Sequence, residues 1–464
     1  MKSEKKESTD SMQKQLDKFL PELQKLFGSL KENIINPVGD LITRSSNNIS
    51  DALQLGLDLL NKELRGKSQP SYWRYSYEEL NEILKEVMCP CAFLDLESYD
   101  ENLDWVDQEI QKLGKKIRIG TKSIRVPELT MRALQKPNID GLFIFHPNEI
   151  KHYQEKYHQK DFLLAYPIYN RTEADVLSQA VKRDPETRVH VMADNPAHLY
   201  LLEKSAAKHN VELGIIVDYD ASIQFLGQVA GVMRSPLTQP KEVVSLARQC
   251  IEFPHLKFRG IMGYEGQEAG IGDFSIVYSM MKQKSRKENI ERRAGIVKAL
   301  NEAGLPPEIV NGGGSGCFQD TASEDSVTEV TIGSGLFKSY IFDPIESMDN
   351  FKPSLFMALR IVRFPKNGVA TCFSGGFVSS AINKSPKVVL PKGCKETTRE
   401  GFGEVQTPIL YNPNEVFFKM GDIVICRLAK AGEPLERFNE VNIISKGKII
   451  GYYPTNRGCG LWCG

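Results

Sequence analysis

The sequence predicts an α/β protein: a (β/α)8 barrel over residues 76–345, followed by a mainly β domain over 346–464 and preceded by a helical extension over 1–75. Three observations carry this expectation. Between about residues 116 and 337, eight short apolar runs recur with helix-like segments between them, too continuously apolar for half-exposed strands and suited to a parallel sheet buried on both faces. Beyond Phe351 the runs are punctuated by Gly and Pro with no long helical period. Before Leu64 the apolar residues fall at helical spacing instead.

Taken in order, Leu16, Phe19, Leu20, Leu23, Phe27 and Leu30 make one stripe, and Ile49, Leu53, Leu57, Leu60 and Leu64 a second that Asn48 or Ser50 can cap. These read as two amphipathic helices. Glu22, Glu32, Asp51, Asp58 and Glu63 are mixed with the basic residues, so docking on the body or on a second subunit is expected over an anionic membrane or a mitochondrial transit peptide. The first ten residues are rich in Lys, Glu and Ser, which excludes a secretory signal there, and no apolar run reaches the roughly 18 residues of a membrane span.

The eight runs are 117–121, 141–146, 162–168, 188–194, 213–218, 258–264, 308–311 and 329–333. Five of the seven start-to-start intervals span 21 to 26 residues; those from 213 to 258 and from 258 to 308 are longer. A strand, a helix and two loops fit that repeat, and eight such units fit a barrel. A doubly wound open sheet is the alternative, but its dinucleotide fingerprint is absent. The trailing runs are 359–363, 369–373, 424–428, 441–444 and 449–453.

Composition fits a soluble globular protein with a sizeable core: 41% hydrophobic and 25% charged residues. Lys plus Arg and Asp plus Glu both number 59, so no global field recruits nucleic acid. Nine cysteines, an odd number spread along the chain, do not make a disulfide framework and point to a reducing, cytoplasmic setting. Neither Cys89/Cys91 nor Cys459/Cys463 has the spacing of a C-x-x-C set, and all four read as ordinary thiols.

Chemistry concentrates at the ends of the predicted strands. Asn311-Gly312-Gly313-Gly314-Ser315-Gly316 follows strand seven and Gly333-Ser334-Gly335 ends strand eight. Glycines there let backbone N–H groups approach an anion, and barrels commonly bind phosphate after these two strands. A Walker loop is excluded because no Lys follows the glycines. Lys122 sits at the carboxyl end of strand one, where it faces the same mouth. Opposite a phosphate cradle, a partly desolvated Lys is a Schiff-base candidate.

With these residues the chain resembles the alanine-racemase-like (fold type III) pyridoxal-phosphate enzymes, in the amino acid deaminase/aldolase branch related to D-threonine aldolase and D-serine dehydratase. The resemblance runs from about Cys89 to Trp462. It rests on Pro90-Cys91-Ala92-Phe93-Leu94-Asp95-Leu96, Arg118-Ile119-Gly120-Thr121-Lys122-Ser123, Met233-Arg234-Ser235-Pro236, Gly263-Tyr264-Glu265-Gly266-Gln267, the two glycine segments, Gly403-Glu404-Val405-Gln406-Thr407-Pro408 and Lys430-Ala431-Gly432-Glu433.

It implies pyridoxal 5'-phosphate held on Lys122, its phosphate held by backbone around Gly313, Gly314, Ser315 and Gly316 and around Gly333, Ser334 and Gly335, a further cofactor contact from Asn311, and substrate-side groups from Tyr264 and Gln267. Gln224 or Arg234 would meet the pyridine nitrogen. A homodimer and a small, D-configured or β-hydroxylated amino acid are implied as partner and substrate of a lyase. One departure stands out: these relatives keep a His with a Cys or Asp in the trailing domain as metal ligands, whereas all seven histidines here precede it. No metal is therefore expected, since Cys426, Glu433 and Glu436 would be unusual company for one. Lys430 and Glu433 become the expected proton-handling groups at the β-hydroxyl. The alternatives are an amino acid racemase, recruiting Tyr452 or Tyr453 as second base, and a non-catalytic cofactor-binding protein.

Overall fold

The computed structural model describes residues 73–463 apart from 274 and 381–383; the two expected amphipathic helices lie outside the described residues. The described chain opens with α1 (Tyr77–Ile83), where the Ser76 hydroxyl accepts the Glu79 amide and the Glu79 carboxylate accepts the Ser76 amide. β1 (Cys91–Asp95) is buried throughout. α2 (Leu96–Leu113) starts at an Asp95 cap and stops at Gly114, whose φ of 64° favours glycine.

A closed barrel follows, as expected. Its strands are β2 (Lys116–Gly120), β3 (Ile139–Ile144), β4 (Asp161–Leu164), β5 (Arg188–Ala193), β6 (Leu213–Asp218), β9 (Leu256–Gly263), β10 (Ile309–Gly312) and β11 (Glu329–Ile332), with β11 pairing back on β2. Every pairing is parallel. Between strands run α3 (Thr121–Ile124), α4 (Pro127–Ala133), α5 (Asn148–Tyr157), α6 (Arg171–Arg183), α7 (Pro196–His209), α8 (Pro240–Ile251), α9 (Gly266–Ala269), α10 (Ile276–Glu302) and α11 (Phe318–Ala322). The first long interval is filled by a hairpin, β7 (Ile223–Phe225) and β8 (Gln228–Ala230), ahead of α8; the second by the 27-residue α10.

Alternation along each strand sorts the side chains. Leu213, Ile215 and Val217 of β6 join the large core under the helices, while Ile216 points inward with Leu163, Met192 and Met262, against Phe143, Tyr264 and Ile309. Two residues earlier on the inward face lies a charged layer. The Arg118 guanidinium donates to Glu329 at 2.8 Å and to Asp161, and a Cβ on Gly141 would overlap it. His190 shares this layer; burial first, then the Arg118 charge, push its pKa down to about 4. Two residues later on the inward face lies the mouth.

The second body is a nine-stranded sheet. It contains β12 (Leu355–Lys366), β13 (Val369–Phe373), β14 (Lys387–Leu390), β15 (Lys395–Glu396), β16 (Gln406–Leu410), β17 (Ile423–Arg427), β18 (Glu440–Ser445) and β19 (Lys448–Pro454), with α12 (Gly432–Leu435) between β17 and β18. Its ninth strand is β1, which precedes the barrel in sequence yet lies between β12, antiparallel with Leu94 opposite Leu355, and β18, parallel with Ala92 opposite Val441. The sheet is thus built from both sides of the barrel sequence. Among the described residues no helix is long and apolar enough to cross a membrane.

Candidate active site at the barrel mouth

Lys122 follows β2 directly, on the one-turn helix α3. Solvent reaches it through the open mouth. The surrounding protein nonetheless strips water from its ammonium and, with the charges of Lys430 and Arg234, lowers its pKa; Glu433 pulls the other way. A lysine so placed carries more neutral amine near neutral pH than a solvated one.

The two glycine turns meet each other. Gly335 N–H donates to the Ser315 hydroxyl at 2.9 Å, so the segments after β10 and β11 form one cradle. Close packing dictates glycine here. A Cβ on Gly314 would lie 2.7 Å from the Ala269 Cβ, one on Gly333 2.9 Å from the Gly120 carbonyl oxygen, and one on Gly335 2.8 Å from the Ser315 Cβ. Gly313 takes φ +77°, and its N–H is already committed, donating to Glu265 Oε2 at 2.7 Å. Among the described residues the amides of Gly314, Ser315, Gly316 and Ser334 meet no protein acceptor. Four free N–H groups at a glycine-lined turn make an anion cradle, and with the nearby Lys122, its pKa lowered by burial, they fit the phosphate and the carbonyl carbon of pyridoxal phosphate.

Tyr264 directly follows β9 with its ring against the barrel interior, where burial raises its phenol pKa to about 12. The Arg234 guanidinium lies over that ring, 4.8 Å from its centroid. From the second body, the segment around α12 reaches the same mouth. A Cβ on Gly432 would overlap the Lys122 carbonyl oxygen, and Arg125 pairs with Glu436. Glu433 Oε2 accepts the Ser380 amide at 2.7 Å, and Lys430 Nζ donates to the Ser380 hydroxyl at 3.3 Å.

Lys122, Tyr264, Arg234, Lys430, Glu433 and the glycine cradle therefore converge. Other candidates sit elsewhere. Gln267 is turned toward α10 by the α9 turn, donating to the Ala221 carbonyl and the Ser285 hydroxyl, both at 2.8 Å. Asn311 is spent inside the barrel on Glu329 and Thr331. Gln224 is exposed on the β7–β8 hairpin, and Tyr452 is exposed on β19. Among the described residues no group of three or more His, Cys, Asp or Glu side chains converges on a metal position.

Two groups were not legible in the sequence reading. Asp218, inward-facing at the end of β6 and nine-tenths buried, has its carboxyl pKa raised to about 7, chiefly by burial against the opposing pull of Arg234. Behind the glycine turn, the fully buried Arg293 of α10 pairs with Glu265 and Glu324 and donates to the Tyr219 hydroxyl at 2.9 Å. Glu265 thus bridges Arg293 and Gly313. An acidic residue directly after Tyr264 was the available signal.

Comparison with known proteins identifies the family and the fold. The family described as the alanine racemase N-terminal domain matches residues 94–340. A 3-hydroxy-D-aspartate aldolase of Paracoccus denitrificans is 25% identical over 256 residues, 54% of this chain and 61% of that protein; the chain thus matches about three fifths of that relative's length. A D-threonine aldolase of an Arthrobacter species is 22% identical over 326 residues, covering 68% of this chain and 74% of that protein. Among solved structures, D-threonine aldolase from Filomicrobium marinum superposes with a TM-score of 0.71 at 17% identity, covering 81% of this chain and 97% of that one. D-threo-3-hydroxyaspartate dehydratase from Delftia sp. HT23 gives 0.63 at 16%, covering 80% and 98%.

Proposed function

The chain belongs to the family of the alanine racemase N-terminal domain, and from that premise we propose that it is a pyridoxal 5'-phosphate-dependent lyase acting on small β-hydroxy amino acids of D configuration. The observation that carries the reading is the pairing of Lys122, its pKa lowered, with the linked glycine cradle whose amides meet no protein acceptor among the described residues. The aldolase names of the relatives support the substrate class.

In this reading Lys122 would hold the cofactor's carbonyl carbon and the amides of Gly314, Ser315, Gly316 and Ser334 would hold its phosphate. Bound there, the cofactor supplies an electron sink for negative charge at the substrate's Cα. Lys122 would move the proton at Cα. Lys430 and Glu433, fixed through Ser379 and Ser380, move the proton at the β-hydroxyl. Arg234, anchored on the Tyr264 ring, and Lys430 give the mouth the positive charge that suits substrate carboxylates.

The functional division is an N-terminal extension over 1–75, a cofactor-binding unit over 76–345 and a covering unit over 346–464, the last completed by β1 from the second. The working state is a cytoplasmic homodimer: all nine cysteines are free, and Tyr166, Tyr169, Met233 and Trp462 are large exposed apolar side chains.

The test is an absorption spectrum of protein incubated with excess pyridoxal phosphate, before and after borohydride, alongside Lys122→Ala. A reducible chromophore in the wild type and none in Lys122→Ala is expected; colourless wild-type protein would overturn the assignment. Incubation with single enantiomers of serine, threonine and 3-hydroxyaspartate then reads the reaction. Carbonyl products support a lyase, whereas a mirror-image amino acid without carbonyl product makes the chain a racemase.

A further inference from the structure

Away from the barrel mouth, the start of β1 brings two thiols and a guanidinium together. The Cys89 and Cys91 sulfurs lie 3.9 Å apart, so their side chains converge although one residue separates them. The antiparallel register of β1 on β12 sets Cys91 opposite Ala358, which carries Arg360 beside Cys89. Arg360 Nη2 lies 3.8 Å from the Cys89 sulfur and is held there by the Leu84 and Val87 carbonyls at 3.0 and 2.8 Å, with Nη1 on the Gly421 carbonyl at 2.6 Å. The cation is fixed by backbone and does not wander. Cys89 is half-buried, and Cys91, at 5% exposure, lies in the sheet core.

We propose that Cys89 and Cys91 form an oxidation site in which Cys89 is the attacking thiol, Cys91 the resolving thiol and a hydroperoxide the oxidant. The Cys89 thiolate attacks the peroxide; an S–O bond forms, the O–O bond breaks, and the leaving oxyanion takes a proton to depart as water or an alcohol. Sulfur loses two electrons and the peroxide gains them, leaving Cys89 as a sulfenic acid. The Cys91 sulfur then attacks Cys89; the S–S bond forms, the S–O bond breaks, and hydroxide leaves with the Cys91 proton as water.

The electrostatics agree with this division of labour. The Cys91 thiol as hydrogen-bond partner, ahead of the Arg360 charge, lowers the Cys89 pKa against burial, while the same contact and burial raise that of Cys91. Burial raises the pKa of Cys250, Cys317, Cys372, Cys394, Cys426, Cys459 and Cys463. Only Cys459 among these is as open to solvent as Cys89, which makes it the internal control.

The test uses the reduced full-length protein and mass spectrometry. At pH 7, iodoacetamide is expected to label Cys89 at least about tenfold faster than Cys459. One equivalent of hydrogen peroxide is expected to remove two hydrogens from the peptide holding both thiols, reversibly with dithiothreitol. In Cys91→Ser the same treatment should leave a dimedone-reactive Cys89. Labelling of Cys89 no faster than Cys459, or peroxide carrying wild-type Cys89 to a sulfinic acid without a disulfide, overturns the proposal. The wild-type measurements decide the matter should Cys91→Ser fail to fold.

Discussion

Glu265 satisfies two buried donors with its two carboxylate oxygens, the Arg293 guanidinium and the Gly313 amide. Glu265→Gln turns an amide N–H2 toward one of them. A stability loss of about 3 kcal/mol in urea unfolding is expected, together with weaker pyridoxal phosphate binding in an absorption titration. Glu324→Gln keeps the acceptor of Gly313, so it should lose stability while binding the cofactor as the wild type does. Gly314→Ala, whose new methyl would crowd Ala269 and the Tyr264 ring, is expected to weaken cofactor binding at least about tenfold through displacement of the cradle. His190 gives a pH signature. Its folded pKa of about 4 lies below the ordinary value of about 6.5, so between these values the unfolded chain binds more protons and stability falls as pH drops through the window. His190→Gln should flatten that slope by roughly 3 kcal/mol across the window. Lys122 and the glycines were readable because each is a local pattern at a strand end. Glu265 and Arg293 were not, because their meaning lies in partners 28 and 48 residues away.

At the scale of elements, the barrel strands were legible as apolar runs and their boundaries moved by a few residues: the run at 258–264 is β9 from Leu256 to Gly263. The irregular intervals were legible as gaps but not as contents. The β7–β8 hairpin is three residues per strand, too short for an alternation signal, and α10 is so long that its polar contacts, such as Arg292 to the Asp220 and Ser222 carbonyls at 2.7 and 3.0 Å, blur its apolar face. β1 was not among the runs read as strands, and nothing local says which sheet receives it. Phe93 of β1 stacks on Phe356 of β12 with centroids 5.3 Å apart. Phe93→Ala is expected to cost about 3 to 4 kcal/mol through the cavity it leaves, and differential scanning calorimetry should show the loss.

For the whole molecule, the mouth is a joint product of the two bodies. The Gly432 backbone packs against Lys122, and Glu436 pairs with Arg125. Gly432→Val should push α12 off the mouth, lowering lyase turnover at least about tenfold with far-UV circular dichroism unchanged. The sequence motif Lys430-Ala431-Gly432-Glu433 announced this segment as functional; its seat on α3 depends on a contact across some 300 residues, beyond any local pattern. The position of β1 has a further consequence in the order of synthesis. Each barrel strand has at least one partner near it in sequence, but β1 waits for β12 and then for β18, whose residues lie some 350 positions after β1. The nascent barrel therefore carries an unpaired strand, apolar up to Asp95, until those segments are made. Chains cut short before β18 should bind holdase chaperones or aggregate, and full-length chains should not.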